Sequence, residues 1–200
     1  MYVKICGLRT AEHARTAVDA GADAVGVVMN RTSPRRASDD EAIAVIEAAA
    51  GSVDSVLVVN DMDATEAARK AVRLGFDVLQ LHGAAYGPED FASALNVVGR
   101  VWRATTLAVN PSLTVGDWGE EVLLLDAPSP GSGERWDLSG MADRVPTGKW
   151  MVAGGLRPDN VAEVVAHVAP WGVDVSSGVE TVPGEKSNAL ITAFLTAVRG

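Results

Sequence analysis

Cys6 is the only thiol of the chain, and it closes a short apolar run, YVKIC, that Gly7 ends at once. Asp126 closes another such run, VLLLD. Residues of these two types can move protons. A thiol becomes a competent base when its neighbours bring its pKa, about 8.5 unperturbed, toward neutrality. A carboxyl at the end of an apolar run is open to desolvation, which favours its protonated, acidic form. Arg35 and Arg36 form a basic pair within SPRRAS, and AGGL (153–156) and SSG (176–178) are glycine-bearing turns. Guanidinium forks suit carboxylates, and glycine lets backbone approach a ligand closely. The three histidines, His13, His82 and His167, are too far apart in sequence to form a zinc motif, so no metal is expected. Each residue also has a plainer role open to it, a small buried hydrophobe for Cys6 and a turn-forming strand end for Asp126. What decides between these is whether the fold gathers them.

Eight short apolar or β-branched runs recur along the chain: YVKIC (2–6), AVGVVM (24–29), SVLVV (55–59), DVLQL (77–81), RVWRA (100–104), EVLLLD (121–126), KWMVA (149–153) and GVDVS (172–176). Several are apolar throughout rather than alternating, as expected of parallel strands covered on both faces. Helical segments lie between them. TAEHARTAVDAG (10–21) has Thr10 as a cap and Gly21 as a stop, and SDDEAIAVIEAAAG (38–51) has Ser38 followed by three acids that complement the helix dipole. DATEAARKAVRLG (63–75), RPDNVAEVVAHVA (157–169) and SNALITAFLTAVRG (187–200) repeat the format, the second with Pro158 near its first turn. The segments after the fifth and sixth runs, 111–119 and 128–148, are rich in breakers and predict brief helices at most.

Eight strands alternating with helices predict a compact single-domain (β/α)8 TIM barrel over residues 1–200, trimmed relative to the ~250 residues typical of that fold. An open doubly wound sheet is the rival, but neither GxGxxG nor GxxxxGK[ST] follows a strand. In a barrel, every residue just after a strand shares the C-terminal rim, where chemistry occurs in this fold. The rim would collect Cys6, Gly7, Arg35, Arg36, Asn60, Asp61, His82, Gly83, Arg103, Thr105, Asp126, Gly154, Gly155 and the stretch from Asp174 to Gly178.

The totals narrow the function. A net charge of −9 argues against a broad nucleic-acid or membrane surface, both of which are themselves negative. No apolar run reaches the ~18 residues of a membrane span, and the N-terminus lacks a signal-peptide pattern. With one cysteine there is no internal disulfide, and the expected location is a reducing cytoplasm. The five tryptophans at 102, 118, 136, 150 and 171 are scattered as core or rim residues are, not as a stacking platform.

KICG (4–7), SPRRAS (33–38), QLHG (80–83), LLLD (123–126), AGGLRPDNV (153–161) and VDVSSGVETVPGEK (173–186) together resemble the phosphoribosylanthranilate isomerases of tryptophan biosynthesis. The resemblance implies an Amadori rearrangement of a phosphoribosylated anthranilate, with no metal or organic cofactor. It implies that Cys6 is the general base that takes the proton from C2 of the sugar, and that Asp126 is the general acid that protonates the furanose ring oxygen. It also implies phosphate binding by main-chain N–H groups of Gly154, Gly155, Ser176, Ser177 and Gly178, and an arginine, Arg35 or Arg36, on the anthranilate carboxylate. His82 and Asp174 are further substrate-binding candidates. The implied partner is a small phosphorylated molecule, with neither nucleic acid nor membrane, and the protein would act as a monomer or homodimer.

Three stretches depart from the family pattern. NRT (30–32) replaces an aromatic-proline stretch, Ser187 stands where aspartate is usual, and GSGERWD (131–137) shortens a flexible loop. Two other readings stay open at this stage: a related phosphoribosyl-aminoaldose isomerase of histidine biosynthesis, or a dual-substrate enzyme, and a non-catalytic binder of phosphorylated ligands. The histidine-pathway enzymes look like duplicated half barrels with aspartate ending the first strand, where this chain has Cys6.

Overall fold

The computed structural model describes residues 1–109, 111–126 and 144–200. Eight parallel strands close a barrel in sequence order: β1 Tyr2–Cys6, β2 Ala24–Val28, β3 Asp54–Val59, β4 Val78–His82, β5 Val101–Thr106, β6 Val122–Asp126, β7 Trp150–Ala153 and β8 Gly172–Val175. Closure is made by β1 against β8, with Tyr2 opposite Gly172 and Lys4 opposite Asp174. Gly172 is required at that seam, because a Cβ there would lie 2.7 Å from the Tyr2 carbonyl oxygen.

Strand residues of one parity face the barrel interior and those of the other face the helices, and both faces are apolar. Val56, Val78, Trp102, Val122, Leu124 and Met151 form an inner core. Val3, Ile5, Val25, Val27, Leu57 and Leu79 belong to an outer shell shared with helix residues such as Ala14, Val45 and Phe194. This double burial explains the unalternating runs of the sequence.

The helices are α1 Ala11–Asp19, α2 Asp39–Ala49, α3 Ala64–Leu74, α4 Pro88–Leu95, α5 Val161–Val168 and α6 Asn188–Arg199. Their starts are set by side chains: Thr10 Oγ1 accepts from the His13 N–H, and Ser38 and Glu41 form a reciprocal capping box. α3 stops at Gly75 in a left-handed conformation, φ 86°. α4 has no counterpart in the sequence reading. It is short, but Pro88 in its first turn and the acids Glu89 and Asp90 mark its start.

α5 begins four residues later than the sequence predicts. Pro158 sits in the preceding turn, where the Arg157 N–H donates to Asn160 Oδ1 (2.8 Å) and Asn160 Nδ2 donates to the Gly155 carbonyl (2.9 Å). Between β5 and β6 the described residues form a 3-10 turn, Leu107–Val109, and no α-helix, as the breakers predict. There the outer face of β5 carries Arg103, which donates to Glu120 at 2.8 Å and lies 4.4 Å over the Trp118 ring. Arg103 therefore faces the shell and not the cavity, a correction to its place among the rim residues. β5 runs on to Thr106, so it is Thr106 that shares the interior parity of Asp126. A small antiparallel pair, β9 Glu180–Val182 and β10 Glu185–Lys186, follows β8. GSGERWD and Trp136 lie outside the described residues.

The N-terminal mouth of the barrel is closed by aromatic rings and ion pairs. Tyr2 stacks on Trp171 at 4.5 Å and meets Trp102 edge-on at 6.0 Å. Arg100 donates to both oxygens of Asp54, at 2.6 and 2.9 Å, and to Glu121 at 2.7 Å. The Tyr2 hydroxyl donates to Asp54 at 2.6 Å, and Trp102 Nε1 donates to Glu121 at 3.3 Å. Cys6 and Asp126 end their strands at the other mouth.

Candidate active site

Cys6 is the last residue of β1 and Asp126 the last of β6, and both are buried. Parity points both inward: Cys6 belongs to the inner core, and Asp126 follows inward-facing Val122 and Leu124. They end at the same mouth because the strands are parallel. Gly7 then turns the chain with φ 78°, and a Cβ there would crowd Arg35 Cδ at 3.0 Å, Ser176 Oγ at 3.1 Å and Lys186 Nζ at 3.3 Å. Only glycine meets both demands.

The thiol is enclosed by charge. Burial pushes its pKa up, as does the Asp174 carboxylate, while the ammonium groups of Lys4 and Lys186 push it down without fully offsetting the burial. The free protein thus holds Cys6 as a thiol with cations close by. Lys4 is wholly buried in the barrel interior and donates to Asp174 Oδ1 at 3.0 Å. Lys186, on β10, donates to the Ser176 carbonyl at 2.8 Å and to Glu180 Oε1 at 2.7 Å.

Asp126 Oδ2 lies 3.6 Å from His82 Nε2, a contact too long for a direct hydrogen bond. Burial, with the Lys4 charge adding to it, pushes the His82 imidazole below its ordinary value and so favours the neutral ring. Two recesses flank these groups. His82, Gly83, Asn60, Thr106 and Val109 line one, beside the ends of β3, β4 and β5. Gly155, Arg157, Ser177, Gly178 and Glu180 line the other, across the mouth at the ends of β7 and β8.

The second recess is built from backbone. Gly154 and Gly155 both adopt positive φ, 85° and 64°. Gly178 packs so tightly on the neighbouring loop that a Cβ would fall 1.8 Å from the Leu156 carbonyl oxygen. Ser176, Ser177 and Gly178 are partly exposed, and Ser177 and Gly178 line this recess with Gly155. Turns of this kind can present N–H groups to an anion.

The basic pair divides. Arg36 is exposed. Arg35 is mostly covered, and its Nε and Nη2 donate to Glu180 at 2.7 and 2.8 Å, a bidentate pair that fixes the guanidinium plane and leaves Nη1 uncommitted among the described residues. Arg35 also lies close enough to Cys6 for their charges to interact. Asp174 is at the site but is tied to Lys4.

The structure adds four residues to those singled out from sequence: Lys4, Asn160, Glu180 and Lys186. All lie inside the quoted motifs. Lys4 could have been found from parity, since it is two residues before Cys6 and so shares its face. Glu180 and Lys186 could not, because the β9–β10 turn that folds them over the rim has no strand signal.

Comparison with known proteins places these features. The family model described as N-(5'phosphoribosyl)anthranilate (PRA) isomerase matches residues 3–197. The N-(5'-phosphoribosyl)anthranilate isomerase of Geobacter sp. (strain M21) is 40% identical over 202 residues, 98% of this chain and 97% of the relative. The crystal structure of TrpF from Jonesia denitrificans superposes with a TM-score of 0.93 at 48% identity, covering 100% of this chain and 97% of that one. A phosphoribosyl anthranilate isomerase solved with reduced 1-(o-carboxyphenylamino)-1-deoxyribulose 5-phosphate gives a TM-score of 0.86 at 29% identity, covering 100% and 99%.

Proposed function

The chain belongs to the N-(5'-phosphoribosyl)anthranilate isomerase family, an isomerase of tryptophan biosynthesis, and from that premise we propose that Asp126 and Cys6 are its general acid and base. The observation that carries the assignment is that both are buried, inward-facing last residues of parallel strands, one on either side of the β7–β8 phosphate-type recess.

The chemistry needs an acid first. Asp126 gives a proton to the furanose ring oxygen, the C1–O bond breaks, and the aniline nitrogen lone pair forms C1=N⁺. The cation acidifies C2. Cys6 then removes the C2 proton, and the C–H electron pair forms C1=C2 and neutralises the nitrogen. Ketonisation of the enolamine, with protonation at C1, yields 1-(2-carboxyphenylamino)-1-deoxyribulose 5-phosphate.

A buried thiol with a raised pKa carries its own proton and is no base until that proton has left. The iminium adds positive charge to that of Lys4 and Lys186 and favours the thiolate, so the thiol first releases its proton to solvent and the resulting thiolate accepts the one on C2. Gly154, Gly155, Ser176, Ser177 and Gly178 hold the phosphate by backbone N–H groups, which explains how a chain of net charge −9 binds an anion. Arg35, with Nη1 uncommitted, meets the anthranilate carboxylate; exposed Arg36 is the weaker candidate. His82 lines the recess for the aryl end, and Asp174 acts at the sugar.

The test is the loss of fluorescence of N-(5-phosphoribosyl)anthranilate on turnover. Cys6→Ala and Asp126→Asn should each lower kcat by about 10²–10⁴-fold, with the circular-dichroism spectrum unchanged. A near-parental rate in either variant refutes that residue's role.

A further inference from the structure

Lys4 has no step of its own in the mechanism just given, yet it is a charge placed in the barrel interior with a side chain at 0% exposure. A buried ion pair seldom repays its desolvation in stability, so one in a barrel core calls for another reason. Its surroundings supply one. Lys4 and Cys6 are two residues apart on the same face of β1, and both reach into the space over Gly26 on β2. A Cβ built at Gly26 would lie 2.9 Å from Cys6 Sγ and 3.0 Å from Lys4 Cε. The ammonium is anchored on its other side by Asp174 Oδ1 at 3.0 Å.

We propose that Lys4 is a positioning residue for the reaction: its ammonium, clamped by Asp174 and seated where Gly26 has no side chain, is the resident counter-charge of the Cys6 thiolate. This rests on the reading of Cys6 as base. The charged groups that act on the sulfur are Lys4 on β1, Asp174 on β8, Lys186 on β10 and Arg35 after β2. Of the cations, Lys186 and Arg35 both share Glu180. Lys4 is the one that shares the inner face of β1 with the thiol and meets it over Gly26, and among the neighbours it opposes the burial most strongly. Asp174 keeps the ammonium fixed and charged in a setting that would otherwise strip its proton.

Because Cys6 is the only cysteine, the ultraviolet absorbance of thiolate titrates it without ambiguity, with Cys6→Ala as the blank. In Lys4→Met the thiolate should appear at higher pH, by one unit or more, so that kcat at pH 7 falls at least tenfold and recovers as pH rises. KM should change far less than kcat. Removing one partner of a buried pair can prevent folding, so the second variant is Lys4→Met/Asp174→Asn, which leaves no unpaired carboxylate. Its thiol should also titrate higher than the parent's, by less than in Lys4→Met, since the Asp174 charge acts in the opposite sense. A thiol titration unmoved or lowered in the folded variants, with Cys6→Ala inert, overturns the role of Lys4 alone. A Cys6→Ala enzyme that keeps its rate takes down the base assignment and this inference with it.

Discussion

The two mouths of the barrel are built from similar residues and treat them in opposite ways. At the N-terminal mouth Tyr2, Asp54, Arg100 and Glu121 pair with one another, each charge meeting its complement through short hydrogen bonds at the edge of solvent. Arg100 holds Asp54 and Glu121 below the usual carboxylate range. At the C-terminal mouth a thiol and two lysines are buried and an imidazole is partly covered, and desolvation is the leading influence on the thiol, the imidazole and Lys186. Among the described residues the buried side-chain atoms lacking a partner are Asn30 Oδ1, Gln80 Oε1 and Arg103 Nη1, none of them in the N-terminal cluster. Gln80 lies one inward step below His82 on β4. One end of the scaffold pairs its charges at the edge of solvent, and the other pairs Lys4 and Lys186 in the interior beside a thiol.

That contrast can be broken by showing that either mouth does the other's work. The largest effects should be the rate losses of Cys6→Ala and Asp126→Asn, with melting temperatures close to the parent's; a large drop in Tm for Cys6→Ala would erase the distinction. Next, Trp102→Ala at the other mouth should cost about 3–5 kcal/mol of stability in denaturant unfolding, with kcat near parental at temperatures where the variant is folded. Gly178→Ala forces a Cβ against the Leu156 carbonyl and separates the two loops of the proposed phosphate site, so KM should rise by about tenfold with a smaller change in kcat. Tyr2→Phe removes a hydrogen bond to Asp54 and should cost about 1 kcal/mol, read from the same unfolding curves.

The smallest effect sharpens the comparison through pH. Asp54 has a depressed pKa in the folded state, so its stabilisation is complete above the ordinary aspartate range and is lost as pH falls through the depressed value. Asp54→Asn should flatten the acid limb of Tm against pH while leaving kcat at neutral pH unchanged. An acid limb as steep as the parent's would show that the N-terminal cluster is not what acid attacks.

The barrel was legible in the sequence because parallel strands buried on both faces leave an unbroken apolar trace, and all eight runs fall on strands within two residues at either end. Helix starts with a capping hydroxyl, at Thr10 and Ser38, were equally clear. α4 was missed since PEDFASAL carries little more than two turns of pattern. Of the candidate site, the placement of Cys6 and of the paired glycines Gly154 and Gly155 at strand ends was legible from the runs that precede them. The site was not legible where a residue works through a neighbour. Asn160 stands at the N-cap of α5 but makes no capping bond with its side chain, which spans back to Gly155 and Arg157, and Glu180 fixes Arg35. Arg103 misled for the opposite reason: a cation near a strand end looked like a ligand contact, yet its parity sends it outward to Glu120.

The depth of Cys6 has one more effect. Oxidation to sulfenic acid proceeds from the thiolate and follows exposure, and Cys6 in the resting protein is a protonated thiol at 5% exposure. Peroxide or a glutathione disulfide should therefore react slowly with Cys6 in the ligand-free enzyme, and the chain holds no second cysteine to resolve a sulfenic acid.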